Sequence, residues 1–168
     1  MHAAISFEDY VALTELKARY FEAVDDRDWV SLRSLFTADA EFDGFAFTSS
    51  GVDGFIDALT TYMTGAVSNH RAFLPQFRVI DDATIRGTWS MHDTVTWEPG
   101  SRAYKGFTAP DLYGIDGYGR YQDEYRRSDN GWQISFCRIA RTRIVPLVGQ
   151  VPPSFDFPAV ASDPGWLI

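Results

Sequence analysis

Apolar residues recur at helical spacing in the first part of the chain and at alternate positions in the later part. A capping-box pattern begins at Ser6, and the apolar residues after it recur every three or four positions, which predicts an amphipathic helix over residues 7–24. Asp28 can cap a second, short helix. A short strand is predicted around 40–47, and a third helix near 52–64.

The remainder of the chain reads as β-structure. Long strands are predicted at about 76–82, 84–98 and 117–145, with the last broken into a hairpin at Ser128-Asp129-Asn130-Gly131 by a turn longer than two residues. Residues 99–116 are predicted to form a long loop over a pocket mouth. Helices followed by strands, without alternation between the two, favour an α+β domain over residues 1–145.

Residues 146–168 are predicted to form an irregular tail, because their prolines are incompatible with regular structure. Phe155, Phe157 and Trp166 would be costly to leave exposed together. We therefore expect the tail to pack on the domain or on a neighbouring subunit.

The strand at 84–98 alternates cleanly between an apolar and a polar face, and Asp93 is the exception on the apolar face. Burial raises the pKa of a carboxyl group and makes it a candidate general acid or base. The alternatives are a local bulge, or structural pairing of Asp93 with Arg138 or Arg141.

Composition and charge narrow the choice of partners. A formal net charge of -8 argues against nucleic acid and against anionic membrane surfaces. No apolar run is long enough for a transmembrane helix, and no signal peptide is recognisable. Cys137 has no cysteine to pair with, so we expect a cytoplasmic protein. The aromatic share of 15% fits either a bulky core or an aromatic-lined pocket.

Other polar residues are weaker candidates for chemistry. Asp25 lies in an acidic cluster at the end of the first helix, where the helix dipole disfavours it and some compensating group is expected. His70 follows the third helix at a place where a side chain can overhang a cavity. His92 falls on the polar strand face and is expected to face solvent, and His2 lies in the N-terminal segment. No residues have metal-ligand spacing, so we predict no metal.

A set of short motifs recurs in a recognisable order, and together they resemble a known family. They are Tyr20-Phe21 with Asp25 and Trp29, His70, Gly87-x-Trp89-x-Met91-x-Asp93, Gly117-Tyr118-Gly119-x-Tyr121 and Gly131-Trp132-x-Ile134. The pattern resembles SnoaL-like members of the nuclear transport factor 2-like superfamily over residues 7–145. Within that superfamily it is similar to bile acid 7α-dehydratases and, more distantly, to scytalone dehydratases.

The resemblance implies a cone-shaped barrel, in which a strongly bent, mostly antiparallel sheet and three helices enclose an apolar pocket. It implies catalytic roles for Tyr20, Asp25, His70 and Asp93. In that scheme His70 is the general base, Asp25 orients its ring, Tyr20 donates to the developing enolate or the leaving oxygen, and Asp93 protonates the leaving hydroxyl. The residues expected to contact substrate are Trp89, Met91, Tyr121 and Arg141.

The implied function is a cofactor-independent dehydratase acting on a hydrophobic hydroxylated carbonyl compound such as a steroid or polyketide. The same groups could catalyse a double-bond isomerisation or a polyketide cyclisation, and a non-catalytic small-molecule carrier is the alternative from another class. We also expect a homo-oligomer, a dimer or a trimer, with the polar sheet face at the interface.

Overall fold

A computed structural model describes residues 4–153 and residue 163 of the chain. Within these residues, three helices come before most of the sheet, which confirms the α+β prediction. The helices are α1 (Phe7–Asp25), α2 (Trp29–Ser34) and α3 (Gly51–Met63). The strands are β1 (Phe36–Asp43), β2 (Ala66–Asp81), β3 (Thr84–Trp97), β4 (Leu112–Ser128) and β5 (Gly131–Val148).

The strands form one curled sheet in the order β1-β5-β4-β3-β2. Strand β1 runs parallel to β5, and the other neighbours are antiparallel. Long, strongly coiled strands wrap the sheet around the helices, giving the cone that we expected. The inner face of the cone carries both the core and the candidate site.

The helices begin and bury their apolar faces as the sequence predicts. The Ser6 side chain accepts a hydrogen bond from the Asp9 backbone N–H, and Asp28 caps α2 by accepting from the Ser31 backbone N–H. The predicted core positions of α1 are buried, among them Leu13 and Tyr20. These contacts hold α1 against the inside of the sheet.

Two strands differ from their predicted positions. Strand β1 begins at Phe36 instead of residue 40, and the chain leaves the sheet at Gly44, where an added Cβ would overlap the Ile139 carbonyl. Strand β2 begins ten residues earlier than predicted. Its inward positions are occupied by small or polar residues, so the period-two apolar signal is missing there. These inward residues are Ala66, Ser68, His70 and Ala72.

The other strand ends also differ from the predictions. Strand β4 begins at Leu112, before the predicted start at residue 117. The prediction started late because Gly114 resembles a loop residue in the sequence, whereas in the structure it lies where two strands approach closely. Ser128 pairs with Gly131, so the hairpin turn has two residues and our expectation of a longer one is wrong. Strand β5 continues to Val148, so the first residues of the predicted tail are β-structure. Phe155, Phe157 and Trp166 lie outside the described residues.

Strand β3 shows the predicted alternation at every position. Each odd-numbered residue from Ile85 to Trp97 is buried and each even-numbered one is at least partly exposed. Asp93 is buried with the odd-numbered set, at 1% exposure. Among the described residues, no helix is both long and apolar enough to span a membrane.

A buried ion pair crosses the core beneath α1. Lys17 Nζ lies 2.8 Å from Asp123 Oδ2, and both side chains are excluded from solvent. The Lys17 ammonium also stands 3.8 Å above the centre of the Tyr121 ring. Asp123 accepts a hydrogen bond from the Tyr125 hydroxyl, which in turn accepts one from the Trp89 indole N–H. The helix is thereby fixed to the sheet by a polar network.

We predict that Lys17→Met lowers the free energy of unfolding by about 3–5 kcal/mol, because it leaves the Asp123 carboxylate buried without a counter-charge. Urea unfolding measures the change. The double variant Lys17→Met, Asp123→Leu should recover part of the loss, since it removes both charges. Lys105→Met, at the other lysine of the sequence and exposed, is the control. Equal unfolding midpoints for Lys17→Met and the parent protein would contradict the prediction.

Candidate active site

A small cavity lies inside the cone between the helices and the sheet, with a volume of about 40 Å³. Since one water needs roughly 10–15 Å³ measured this way, the cavity has room for a few water molecules. Phe45 and Phe47, from the β1–α3 connection, and Tyr62 of α3 cover one side. The polar side chains that line it are Tyr20, Tyr62, His70, Asp93, Tyr121 and Arg141.

His70 is held from one side by Asp25, the last residue of α1. The His70 ring Nδ1 lies 2.7 Å from Asp25 Oδ1, and the His70 backbone N–H donates to Asp25 Oδ2 at 2.8 Å. Ser68 donates a further hydrogen bond to Asp25 Oδ1. The Phe21 ring stacks parallel to the imidazole. Both position and ring plane of His70 are therefore fixed.

The charge state of Asp25 determines the tautomer of His70. Burial acts to raise the pKa of Asp25, but the hydrogen bonds from the His70 ring and backbone, together with the one from Ser68, hold it below its ordinary value. An ionised carboxylate can only accept, so His70 Nδ1 must carry the proton. In the neutral ring the other nitrogen, Nε2, then has the lone pair, and the nearest carboxylate oxygen, Asp93 Oδ2, is 3.9 Å from it.

Asp93 is paired with Arg141, the second of the two arginines considered from the sequence. Arg141 Nη1 and Nη2 donate to the two Asp93 oxygens at 2.7 and 2.6 Å, which is the bidentate fork of an arginine and an ionised carboxylate. Burial acts to lower the pKa of Arg141, but the Asp93 bonds outweigh it and hold that pKa above its usual range. Arg138 instead pairs with Asp43.

The ion pair between Asp93 and Arg141 fits because the residue of β4 directly beneath it, Gly117, has no side chain. A Cβ added at Gly117 would overlap both Arg141 Nη1 and Asp93 Oδ1. Gly117 is paired with Asp93 across the sheet, so the glycine lies where the fork needs space. The Gly117-Tyr118-Gly119 motif seen in the sequence therefore has a packing reason at its first glycine.

Tyrosine hydroxyls surround this ion pair. Tyr20 and Tyr121 are buried beside the cavity, and burial raises their pKa values well above the ordinary value. Burial also raises the pKa values of Tyr62 and Tyr104, whose hydroxyls feel the charges of Asp93 and Arg141. The Tyr104 and Tyr121 hydroxyls are buried and have no hydrogen-bond partner within the described residues. Protonated at neutral pH, the phenols that line the cavity can donate to an oxygen of a molecule bound there.

The structure brings most of the sequence candidates together, with exceptions. His70 contacts Asp25 and faces Asp93, and it belongs to strand β2 instead of the helix–sheet connection where we expected it. Trp89 and Met91 lie on the inner sheet face but outside the cavity lining. His92 lies on the outer face as predicted, yet it is half-buried and stacked on Tyr118. His2 lies outside the described residues.

Sequence reasoning missed three polar residues of this region. Ser68 and Tyr62 have no motif of their own, and only their positions on β2 and α3 bring them to the site. Tyr104 comes from the loop between β3 and β4. Arg102 ties that loop to α3 by donating to the Tyr62 and Thr64 carbonyls. Our prediction that this loop lies over a pocket was the available signal.

No group of three or more His, Cys, Asp or Glu side chains suited to a metal ion occurs in the described part of the chain. The polar groups around the cavity are a histidine hydrogen-bonded to a carboxylate, an ion pair and a set of phenols. Such an arrangement can remove a proton and stabilise negative charge on oxygen.

Comparison with known proteins places this site in a familiar fold. A family model described as a SnoaL-like domain matches residues 6–138. A type 2 hexachlorocyclohexane dehydrochlorinase superposes with a TM-score of 0.72 at 20% identity, over 88% of this chain and 96% of its own. The LinA-type3 dehydrochlorinase of Novosphingobium barchaimii LL02 gives 0.69 at 20% identity, over 87% and 96%. A scytalone dehydratase candidate from Novosphingobium aromaticivorans DSM 12444 gives 0.66 at 15%, over 91% and 95%. Identities this low establish the fold alone.

We predict that Gly117→Ala separates Asp93 from Arg141, because the new methyl group occupies the space of the fork. The free energy of unfolding should fall by about 1–3 kcal/mol, as for other overpacked interiors. Urea unfolding measures it. Gly54→Ala is the control, since its Cβ meets nothing within 4 Å in α3, and alanine there should stabilise by roughly 0.5–1 kcal/mol. A Gly117→Ala protein as stable as the parent would show that the pair tolerates the methyl group.

Proposed function

We propose that this chain, which belongs to the SnoaL-like domain family, is a cofactor-independent lyase that removes water from a hydroxylated carbonyl compound. One observation carries the proposal. His70 Nε2 faces the cavity beside Asp93, while Asp25 binds the opposite side of the ring at 2.7 Å. A buried base with a fixed tautomer is the group that such an elimination needs first.

His70 Nε2 removes the proton from the carbon next to the substrate carbonyl. The imidazolium that forms lies between two carboxylates, Asp25 at Nδ1 and Asp93 at 3.9 Å from Nε2. A general base positioned in this way typically contributes about 10²–10⁴-fold to the rate.

Negative charge then develops on the carbonyl oxygen, and the phenols are suited to receive it. Tyr121 and Tyr20 line the cavity, and Tyr121 has a buried hydroxyl without a partner in the described structure. Arg141 keeps further N–H groups beyond the two bonded to Asp93. Donors fixed before the reaction stabilise an enolate oxygen without reorganisation.

The leaving hydroxyl takes its proton from the His70 imidazolium, and the C–O bond breaks as the double bond forms and water departs. This assignment replaces the role that the sequence suggested for Asp93. An ionised carboxylate in a guanidinium fork has no proton to give, so we assign Asp93 to orienting Arg141 and stabilising the imidazolium. The site ends the reaction in its starting protonation state.

The cavity is lined largely by apolar side chains, and we therefore propose a substrate with a steroid or polyketide skeleton. A skeleton of that size exceeds the 40 Å³ cavity, so the cover formed by Phe45, Phe47 and Tyr62 has to move on binding. The names of the similar structures, dehydrochlorinase and dehydratase, both denote eliminations and support the reaction class. An isomerase or a cyclase would use the same base but return the proton to carbon or form a carbon–carbon bond, so product analysis separates them.

Assembly and location are further proposals. The outer sheet face forms a shallow groove of about 720 Å³, with arginines beside acidic residues, such as Arg86 beside Glu124 and Arg138 beside Asp43. Mixed charges of this kind can pair with themselves across a two-fold axis. We propose that this face joins subunits of a homo-oligomer. A cytoplasmic location stays a prediction and rests on the unpaired Cys137.

We predict dimers or trimers in sedimentation experiments at micromolar concentration. Arg86→Glu should shift the distribution toward monomer, because it places like charges beside Glu124 in the groove. Lys105→Glu is the matched control outside the groove. A single species of 18.9 kDa for the parent protein would overturn the proposal.

The enzymatic proposal is tested on a panel of hydroxylated steroids and aromatic polyketides, with loss of water followed by mass spectrometry. We predict that His70→Ala and Asp93→Asn each lower turnover by at least about 10²-fold with the fold retained. Asp25→Asn should also lower turnover, because its amide can donate toward the ring and disfavour the required tautomer.

The double variant Asp25→Asn, His70→Ala should have a turnover only slightly below that of His70→Ala alone, since the effects of substituting groups that act as a unit are not additive. His92→Ala, on the outer sheet face, is the control. Turnover by His70→Ala close to that of the parent would refute the mechanism. Tight binding of a panel compound without any turnover would instead identify a carrier.

A further inference from the structure

Helix α1 ends in a backbone conformation that normally calls for glycine, yet the residue there is Arg27. Its φ angle is +63°, in the left-handed region. The Asp28 N–H donates to the Ala23 carbonyl and the Arg27 N–H to the Val24 carbonyl, which is the hydrogen-bond pattern of a Schellman motif. A side chain in that conformation costs roughly 1–2 kcal/mol, which glycine avoids. Hydrogen bonds made by the arginine side chain can offset that cost.

The guanidinium of Arg27 joins the end of α1 to the start of β2. Nη1 donates to the Val24 and Asp25 carbonyls, the second at 3.1 Å, and to Ser68 Oγ at 3.0 Å. Nη2 donates to the Ala66 carbonyl at 2.7 Å. The bond to Asp25 gives that helix carbonyl a side-chain partner, and the guanidinium places a cation at the negative end of the helix dipole. The compensation expected for an acid at this helix end thus comes from Arg27 at the helix terminus and from the bonds that Asp25 accepts from His70 and Ser68.

The same side chain is linked to the candidate base by a continuous set of hydrogen bonds. Ser68 Oγ accepts from Arg27 Nη1 at 3.0 Å, so its hydroxyl proton is directed at Asp25 Oδ1, 2.8 Å away. Asp25 Oδ1 also accepts from His70 Nδ1 at 2.7 Å. Ser68 and His70 lie on the same face of β2, two residues apart, and Arg27 fixes that strand through the Ala66 carbonyl.

We propose that Arg27 is a positioning residue, which acts through Ser68 and Asp25 to hold His70 in the tautomer with the proton on Nδ1. Arg27 does not line the cavity, so it acts without touching a ligand. The other charged groups facing His70 are Asp25 from α1 and Asp93 from β3, with Arg141 of β5 behind Asp93. The phenols of Tyr20, Tyr62 and Tyr121 complete the cavity around them.

The deciding variant is Arg27→Gly, because glycine suits the left-handed position and removes only the side chain. The helix end should remain formed, while Ser68 and Asp25 lose their support. Nitrogen-15 NMR of the histidine rings follows the tautomer directly and needs no substrate. His70→Gln identifies the His70 signals against those of His2 and His92.

In the parent protein, at a pH where the His70 ring is neutral, we expect its proton on Nδ1 and protected from exchange with water. In Arg27→Gly that proton should exchange at least about tenfold faster, as expected for loss of a hydrogen bond to a charged group, and both tautomers should appear. Ser68→Ala should give a change in the same direction with the helix end untouched. Arg27→Lys, which cannot bond all four acceptors at once, should lie between Arg27→Gly and the parent.

Lys105→Gly is the matched control. Lys105 is also a cation in the left-handed region, with φ of +46°, and it is exposed in the β3–β4 loop. Its replacement should leave the His70 signals unchanged. If Arg27→Gly keeps the slowly exchanging Nδ1 proton, the inference is wrong and Arg27 serves only the helix end.

The inference concerns the proposed base, and its failure can be told apart from failure of the proposed reaction. If the Arg27→Gly signals change and turnover falls with KM unaltered, both hold. If the signals change while turnover stays at the parent level, Arg27 positions His70 but His70 is not the base. If the signals stay unchanged and turnover is retained, the positioning role of Arg27 is refuted while the proposed reaction stands.

Discussion

Asp93 and Arg141 are charged groups inside a largely apolar cone, and the arrangement of the polar groups around them depends on their pairing. A buried charge is costly unless it is paired and hydrogen-bonded, and the two-bond fork meets that requirement. The fork needs Gly117 beneath it and leaves Arg141 with donors to spare. It also fixes negative charge 3.9 Å from His70 Nε2. This ion pair therefore determines where the cavity presents hydrogen-bond donors and where it presents negative charge.

The parts of the fold that could be predicted are those where local pattern and tertiary environment agree. Strand β3 has one face in the core and one outside, so its alternation alone identifies Asp93 as an inward carboxylate. The caps at Ser6 and Asp28 act within a few residues and are equally visible in the sequence. Strand β2 was largely missed because its inward side chains serve the site, and an edge strand lined with Ser68 and His70 has no apolar period.

The contacts that complete the site depend on distances along the chain that the sequence does not reveal. The sequence offered Arg138 and Arg141 as partners for Asp93. Strand alternation puts Arg138 on the outer face and Arg141 on the inner one, but the meeting of Arg141 with Asp93 depends on how β3, β4 and β5 lie together. Arg27 was hidden for another reason. It sits in an acidic stretch that resembles an ordinary solvated helix end, and its role depends on β2 passing beside it.

Residues 44–47 of the β1–α3 connection and α3 line one side of the cavity, whereas the proposed proton-transferring groups lie on α1 and the strands. The residues that limit entry to the cavity and the residues proposed to transfer protons therefore lie in separate parts of the chain. Length or bulk in the connection can change without moving His70 relative to Asp25, since the two residues are bonded to each other. Proteins with this architecture can therefore bind a different class of compound after a few substitutions in residues 44–47 or α3, while the arrangement of His70 and Asp25 stays the same.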